Sequence, residues 1–118
     1  MSLITSAQRA RLLLNARATA AAEQRAESID HLPVVKLFTP DGVCTWLLTE
    51  LRLDDPTTAF GLCDLGQGYP ELGYVSLLDI ASLRGTLGLV VERDEHFEAD
   101  RTLSAFAELA RDCGRIVT

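Results

Sequence analysis

Residues 60–75 read FGLCDLGQGYPELGYV. Two alternating apolar runs flank the cluster Gly66-Gln67-Gly68-Tyr69-Pro70. Glycine accepts positive φ and proline pre-sets a bend, so the cluster reads as a turn between strands over 58–65 and 71–76. A phosphate-cradling loop is the competing reading. That loop needs a helix N-terminus after its glycines to meet the anion, and a Lys with Ser or Thr in a fixed pattern. A strand follows here instead, so the glycines steer the chain and hold no ligand.

The strand pattern extends outward from this stretch. Upstream, Asp54-Asp55-Pro56 breaks a run over 43–51, VCTWLLTEL. Side chains alternate along a strand, so Cys44, Trp46, Leu48 and Glu50 share one face and Val43, Thr45, Leu47 and Leu51 the other. Both faces are largely apolar, which marks a central strand covered on both sides. Before it, Thr39-Pro40-Asp41-Gly42 suits a tight turn after a β-branched and aromatic strand, Val34–Phe38. Downstream, Ser76 begins a short helix over 77–84 with Gly85 as its stop, and Val90-Val91 offers a short edge strand.

Helical patterns close both ends. Thr5 and Gln8 have the spacing of a capping box, and Ala7, Ala10, Leu14 and Ala18 recur at helical spacing over 6–18. The alanine-rich stretch 19–30 either prolongs that helix or forms a connector. A last helix over 102–113 carries Leu103, Phe106, Ala107 and Ala110 on one stripe, with Thr102 or Asp100 as its cap and Gly114 as its end. The reading is one α+β domain over residues 1–118: a four-stranded antiparallel β-meander over 33–77 with N- and C-terminal helices packed on it.

Composition narrows the class. The 118 residues are 47% hydrophobic and 24% charged, as in globular domains. No apolar run reaches the roughly 18 residues that cross a bilayer, so no membrane partner is expected. The start, MSLITSAQRARLLL, lacks the order of a secretory signal, which makes the cytoplasm the expected location. Cys44, Cys63 and Cys113 are odd in number and widely spaced, as expected of half-buried small apolar residues rather than of disulfides or a zinc site. Net charge is −6; residues 1–39 sum to +2 and residues 40–118 to −8. No basic stripe suited to nucleic acid stands out.

Three sets of residues can carry chemistry. Pairing about the central turn places Asp64 nearly opposite Leu72, with Glu71 close by, while Glu50 falls at the far end of the sheet. The acidic loop 92–100, ERDEHFEAD, adds Asp94, His96 and Asp100. Asp64, Glu71, Asp94, His96 and Asp100 thus form a candidate acidic cluster whose oxygens and imidazole suit a divalent metal. Solvated strand-end and helix-capping charges are the plainer reading of each. Tyr69 and Tyr74, with Arg52 and Arg84, form a candidate recognition surface, although packing is the simpler role for Tyr74. Arg9, Arg11 and Arg17 on the first helix can meet DNA phosphates, but they make no tight stripe. No GxSxG elbow and no recognised catalytic constellation is present.

The runs PVVKLFTPDGVCTWLLTEL (33–51), AFGLCDLGQGYPELGYVSL (59–77) and RGTLGLVVERDEHFEAD (84–100), with the opening TSAQRARLLLNAR (5–17), carry a resemblance. They resemble the bacterial domain of unknown function 2958, and the similarity covers nearly the whole chain. The resemblance implies a bacterial protein often encoded on plasmids and integrative elements. It implies no activity, and no catalytic residue transfers. The expected function is therefore a non-catalytic binding or regulatory module of a mobile element, acting through a protein partner. A small metal-dependent hydrolase or nuclease built on the acidic cluster is the alternative, and DNA binding through the first helix is another.

Overall fold

The computed structural model describes residues 3–118. In chain order the elements are α1 (Ser6–Gln24), β1 (Val35–Phe38), β2 (Thr45–Leu51), β3 (Thr58–Asp64), β4 (Glu71–Ser76), α2 (Leu77–Ser82), β5 (Glu92–Arg93) and α3 (Leu103–Cys113). The strands form one antiparallel sheet in the order β4-β3-β2-β1-β5. The α+β class and the meander stand, with five strands rather than four. The fifth lies in the acidic loop, two residues on from the expected Val90-Val91. Among the described residues no helix is long and apolar enough to cross a membrane.

The capping box forms as the spacing predicts. Thr5 Oγ1 accepts from the Gln8 N–H at 3.0 Å, and Gln8 Oε1 accepts from the Thr5 N–H at 2.9 Å. Alanine, the best helix former, then carries α1 to Gln24, six residues past the expected end. Two helix ends also differ from the reading. α2 stops at Ser82, short of Gly85. Thr102 holds the N-cap position of α3, but its side chain makes no capping bond to the helix backbone. Asp30, from the α1–β1 connector, does that work: its carboxylate accepts from the Ser104 N–H at 3.1 Å and from the Ser104 hydroxyl. Asp100 instead pairs with Arg101. The Gly114 end, with φ 74°, is as expected.

The sheet is covered on both faces, as the doubly apolar β2 requires. Trp46, Leu48 and Leu51 meet Leu12 of α1 and Ile80 of α2 in one core cluster. Leu47 and Leu62 meet Leu103, Phe106 and Ala110 of α3 in a second. The strict alternation expected along β2 fails at one point. Leu48 pairs with Gly61, but Glu50 pairs with Phe60, so Thr49 is a bulged extra residue. The bulge moves Leu51 to the Trp46 face and turns Glu50 to the face of Phe60. The carbonyl freed by the bulge is not orphaned: the Asn15 side-chain amide of α1 donates to Thr49 O at 2.9 Å. Close approach of the backbones here explains Gly61, where a Cβ would lie 1.9 Å from the Leu47 carbonyl oxygen.

The central turn is confirmed, with Gly66 at φ 78° and Gly68 at φ 84°. Its register differs from expectation by two residues. Leu62 faces Leu72 and Cys63 faces Glu71, so Asp64 lies beyond the paired part of β4. The reason is a loop of six residues, 65–70, with no strand pairing.

Candidate functional site

The sheet presents two contrasting regions. The first is a cleft of about 760 Å³ where β1 ends, β2 begins, β3 ends and the segment after α3 returns. Lys36, Cys44, Asp64, Asp94, Arg115 and the turn glycines Gly66 and Gly68 line it. Asp64 is 3% exposed, yet it has no unmet bonding need: Oδ1 accepts from the Gly66 N–H at 2.8 Å and Oδ2 from the Ile116 N–H at 2.9 Å. It fastens the C-terminal segment to the central turn. Asp94 Oδ2 lies 3.6 Å from Lys36 Nζ, and its Oδ1 accepts from the His96 N–H at 3.0 Å. Lys36 Nζ also donates to Thr118 Oγ1 at 2.7 Å.

Of the five candidate acidic-cluster residues, the fold brings Asp64 and Asp94 to this one cleft. Glu71 is exposed on β4, and Asp100 is exposed and held below the usual carboxylate range by its Arg101 hydrogen bond, against slight desolvation. His96 touches Asp94 through its backbone alone among the hydrogen bonds seen. No three His, Cys, Asp or Glu side chains gather in an arrangement able to hold a metal ion among the described residues. The cleft thiol is quiet as well. Burial pushes Cys44 up, and the negative charge of Asp64 adds to that, while its Thr39 hydrogen bond opposes both. Cys63, on β3, is pushed up to about 11 by burial and then by Glu71. Neither is a thiolate nucleophile at neutral pH.

The second region is β4 itself. This strand is the last in the sheet, with β3 on one side and, among the described residues, no strand on the other. Leu72 is 48% exposed and Tyr74 62% exposed. Tyr74 is held from beneath and beside: Phe60 meets it edge-on at 5.1 Å, and the Arg52 guanidinium lies 5.3 Å from its ring centroid. Arg52 is fixed in turn by Asp54, with Nε to Oδ1 at 3.0 Å and Nη2 to Oδ2 at 2.9 Å. Aromatic and cation–π contacts of this kind orient a side chain that remains open to a partner. Tyr74 also walls a recess of about 260 Å³ with Glu23, Glu50 and Asp54.

The candidate recognition surface is thus half assembled. Arg52 and Tyr74 come together, and Tyr69 stands exposed on the turn that precedes β4. Arg84 is engaged elsewhere. Its Nη1 donates to Ala81 O at 3.2 Å and Leu83 O at 2.8 Å, closing the end of α2. Sequence reasoning missed Leu72 beside Tyr74. The signal was present, since PELGYVS places both on one face of a strand that carries no lysine. It also missed Asp41, whose Oδ2 accepts from the Leu87 and Leu89 N–H groups at 2.7 and 3.2 Å and fastens the 85–89 turn. No local pattern joins positions so far apart in the chain.

No curated protein and no solved structure matches this chain. One family model does, over residues 3–117. With nearly its whole length matched, the chain belongs to the family described as protein of unknown function (DUF2958).

Proposed function

We propose that this chain is a non-catalytic binding module of a bacterial mobile element, working in the cytoplasm, and that it acts through a protein partner held at the β4 edge. One observation carries the reading: β4 is a terminal strand whose exposed Leu72 and Tyr74 lie side by side, with Tyr74 braced by Phe60 and Arg52. Exposed aromatic and aliphatic anchors on a rigid element are the usual carriers of interface energy. The mobile-element setting is the context that the family resemblance supplies. Net charge −6 favours encounter with a basic partner.

The test is capture from a bacterial host lysate at low salt, with the wild-type chain and Tyr74→Asp as parallel baits. The reading predicts a protein retained by the wild type and lost with Tyr74→Asp, while circular dichroism at the capture temperature shows both baits folded. Equal capture by both baits, or none by either, would overturn it.

A further inference from the structure

We infer that the partner enters as an extended, basic segment that adds a sixth strand alongside β4. This rests on the reading above and specifies how the partner is held. The Leu77 N–H donates to Thr57 O at 2.8 Å, and the Arg52 N–H donates to Thr58 O at 2.9 Å. In an antiparallel ladder, hydrogen-bonded and non-bonded pairs alternate. The register then makes Ala59:Val75, Gly61:Gly73 and Cys63:Glu71 the bonded pairs of β3 and β4. Thr58, Phe60 and Leu62 turn their backbone groups to β2, as the Arg52 bond independently requires. It follows that Leu72 and Tyr74 direct their N–H and C=O groups away from β3, to the open edge. These are the two large apolar residues of β4, and both have exposed side chains.

Proteins ordinarily guard such an edge with lysine, proline, a bulge or a covering loop. β4 has no lysine and no proline, and its pairing with β3 runs from Thr58↔Ser76 to Cys63↔Glu71 without a shift. At Gly73, a Cβ would meet nothing within 4 Å. The edge is straight, open and able to take a strand by backbone hydrogen bonds, with side-chain contacts at alternate positions. Charge selects the occupant. Glu71 stands at one end of β4. At the other, Asp55 accepts from Thr57 and Thr58 next to the Ser76 pair, and Asp79 N bonds to Ser76 Oγ. Arg52, the cation that lies over the Tyr74 ring, is paired with Asp54. Two copies of a −6 chain repel at this edge, whereas a strand with lysine or arginine beside its apolar residues is attracted.

The probe is a synthetic peptide about ten residues long that alternates valine with lysine, added to the full chain. Backbone amide exchange is followed residue by residue. The Leu72 and Tyr74 amides are expected to slow about tenfold at saturation, while Gly73 and Val75 keep their rates. A peptide with glutamate for lysine is expected to bind at least about tenfold more weakly. Leu72→Pro deletes an outward N–H without touching the β3 ladder, so it is expected to weaken binding about tenfold. Leu72→Lys serves where that variant fails to fold, and repels the peptide directly. Protection at other amides, equal binding of the glutamate peptide, or a dimer in sedimentation equilibrium with Leu72 and Tyr74 already protected would overturn the inference. If the lysate partner is lost with Tyr74→Asp yet the peptide leaves these amides unchanged, strand addition fails and the protein-binding reading stands. If no partner is captured and no amide slows, both fall.

Discussion

The two edges of the sheet are opposites. On the β5 side the strand is two residues long and charged, Glu92–Arg93. Arg93 Nη1 donates to Leu3 O at 3.0 Å, and Lys36 holds Asp94 and Thr118. The β4 side is six residues long, carries one charge, and leaves its outer backbone groups and two large apolar side chains to solvent. A short, charged, tied edge is what a chain does to prevent strand pairing. The contrast teaches that this fold closes one edge by construction and keeps the other available.

The comparison is most easily broken at its inner reference point, the register pair Gly61 and Gly73. Gly61→Ala pushes a Cβ against the β2 backbone, and is expected to cost at least about 3 kcal/mol in urea unfolding. Gly73→Ala, one strand outward, is expected to change stability by less than about 0.5 kcal/mol. Similar costs at both positions would mean that the sheet face over Gly73 is covered rather than open. In the cleft at the end of β3, Asp64→Ala leaves the Gly66 and Ile116 N–H groups without their acceptor, and is expected to cost about 2 kcal/mol.

Asp30→Ala is the next smaller change, about 1 kcal/mol at pH 7, because it removes the remote cap of α3. Partial burial raises the Asp30 carboxyl, but bonds from Ser104 and Thr102 outweigh that and hold it below its ordinary 3.8. A carboxyl lowered in the folded state stabilises fully above its unfolded value and loses that contribution as pH falls through its folded one. The gap between wild type and Asp30→Ala should therefore be full near neutrality and narrow below about pH 4. A gap that widens in acid would contradict the capping role. As small as Gly73→Ala is Leu72→Lys on the open edge, expected to shift stability by less than about 0.5 kcal/mol while abolishing partner capture.

Much of the fold was legible because strand alternation and turn residues are local signals. Trp46 and Leu48 announced a buried central strand, and Gly66 and Gly68 a turn. The bulge at Thr49 was not legible, since the alternation on either side of it looks continuous in sequence. It depends on Asn15 reaching across from α1. Asp30 capping α3 and Asp41 fastening the 85–89 turn failed for the same reason: each joins segments more than forty positions apart. At the candidate site, Tyr74 with Arg52 was anticipated. Asp64 reads in sequence as a candidate acidic ligand or, more plainly, a solvated strand-end charge, whereas the fold buries it and gives it two backbone donors. A carboxylate's duty depends on which N–H groups fold against it, and those come from elsewhere in the chain.

The most direct measurement is amide exchange along β4 in the chain alone. The alternating ladder predicts fast exchange at Leu72 and Tyr74, within about tenfold of an unstructured peptide, and strong protection at Gly73 and Val75. Protection of Leu72 and Tyr74 as strong as that of their neighbours would mean the edge is already covered, and would contradict the account.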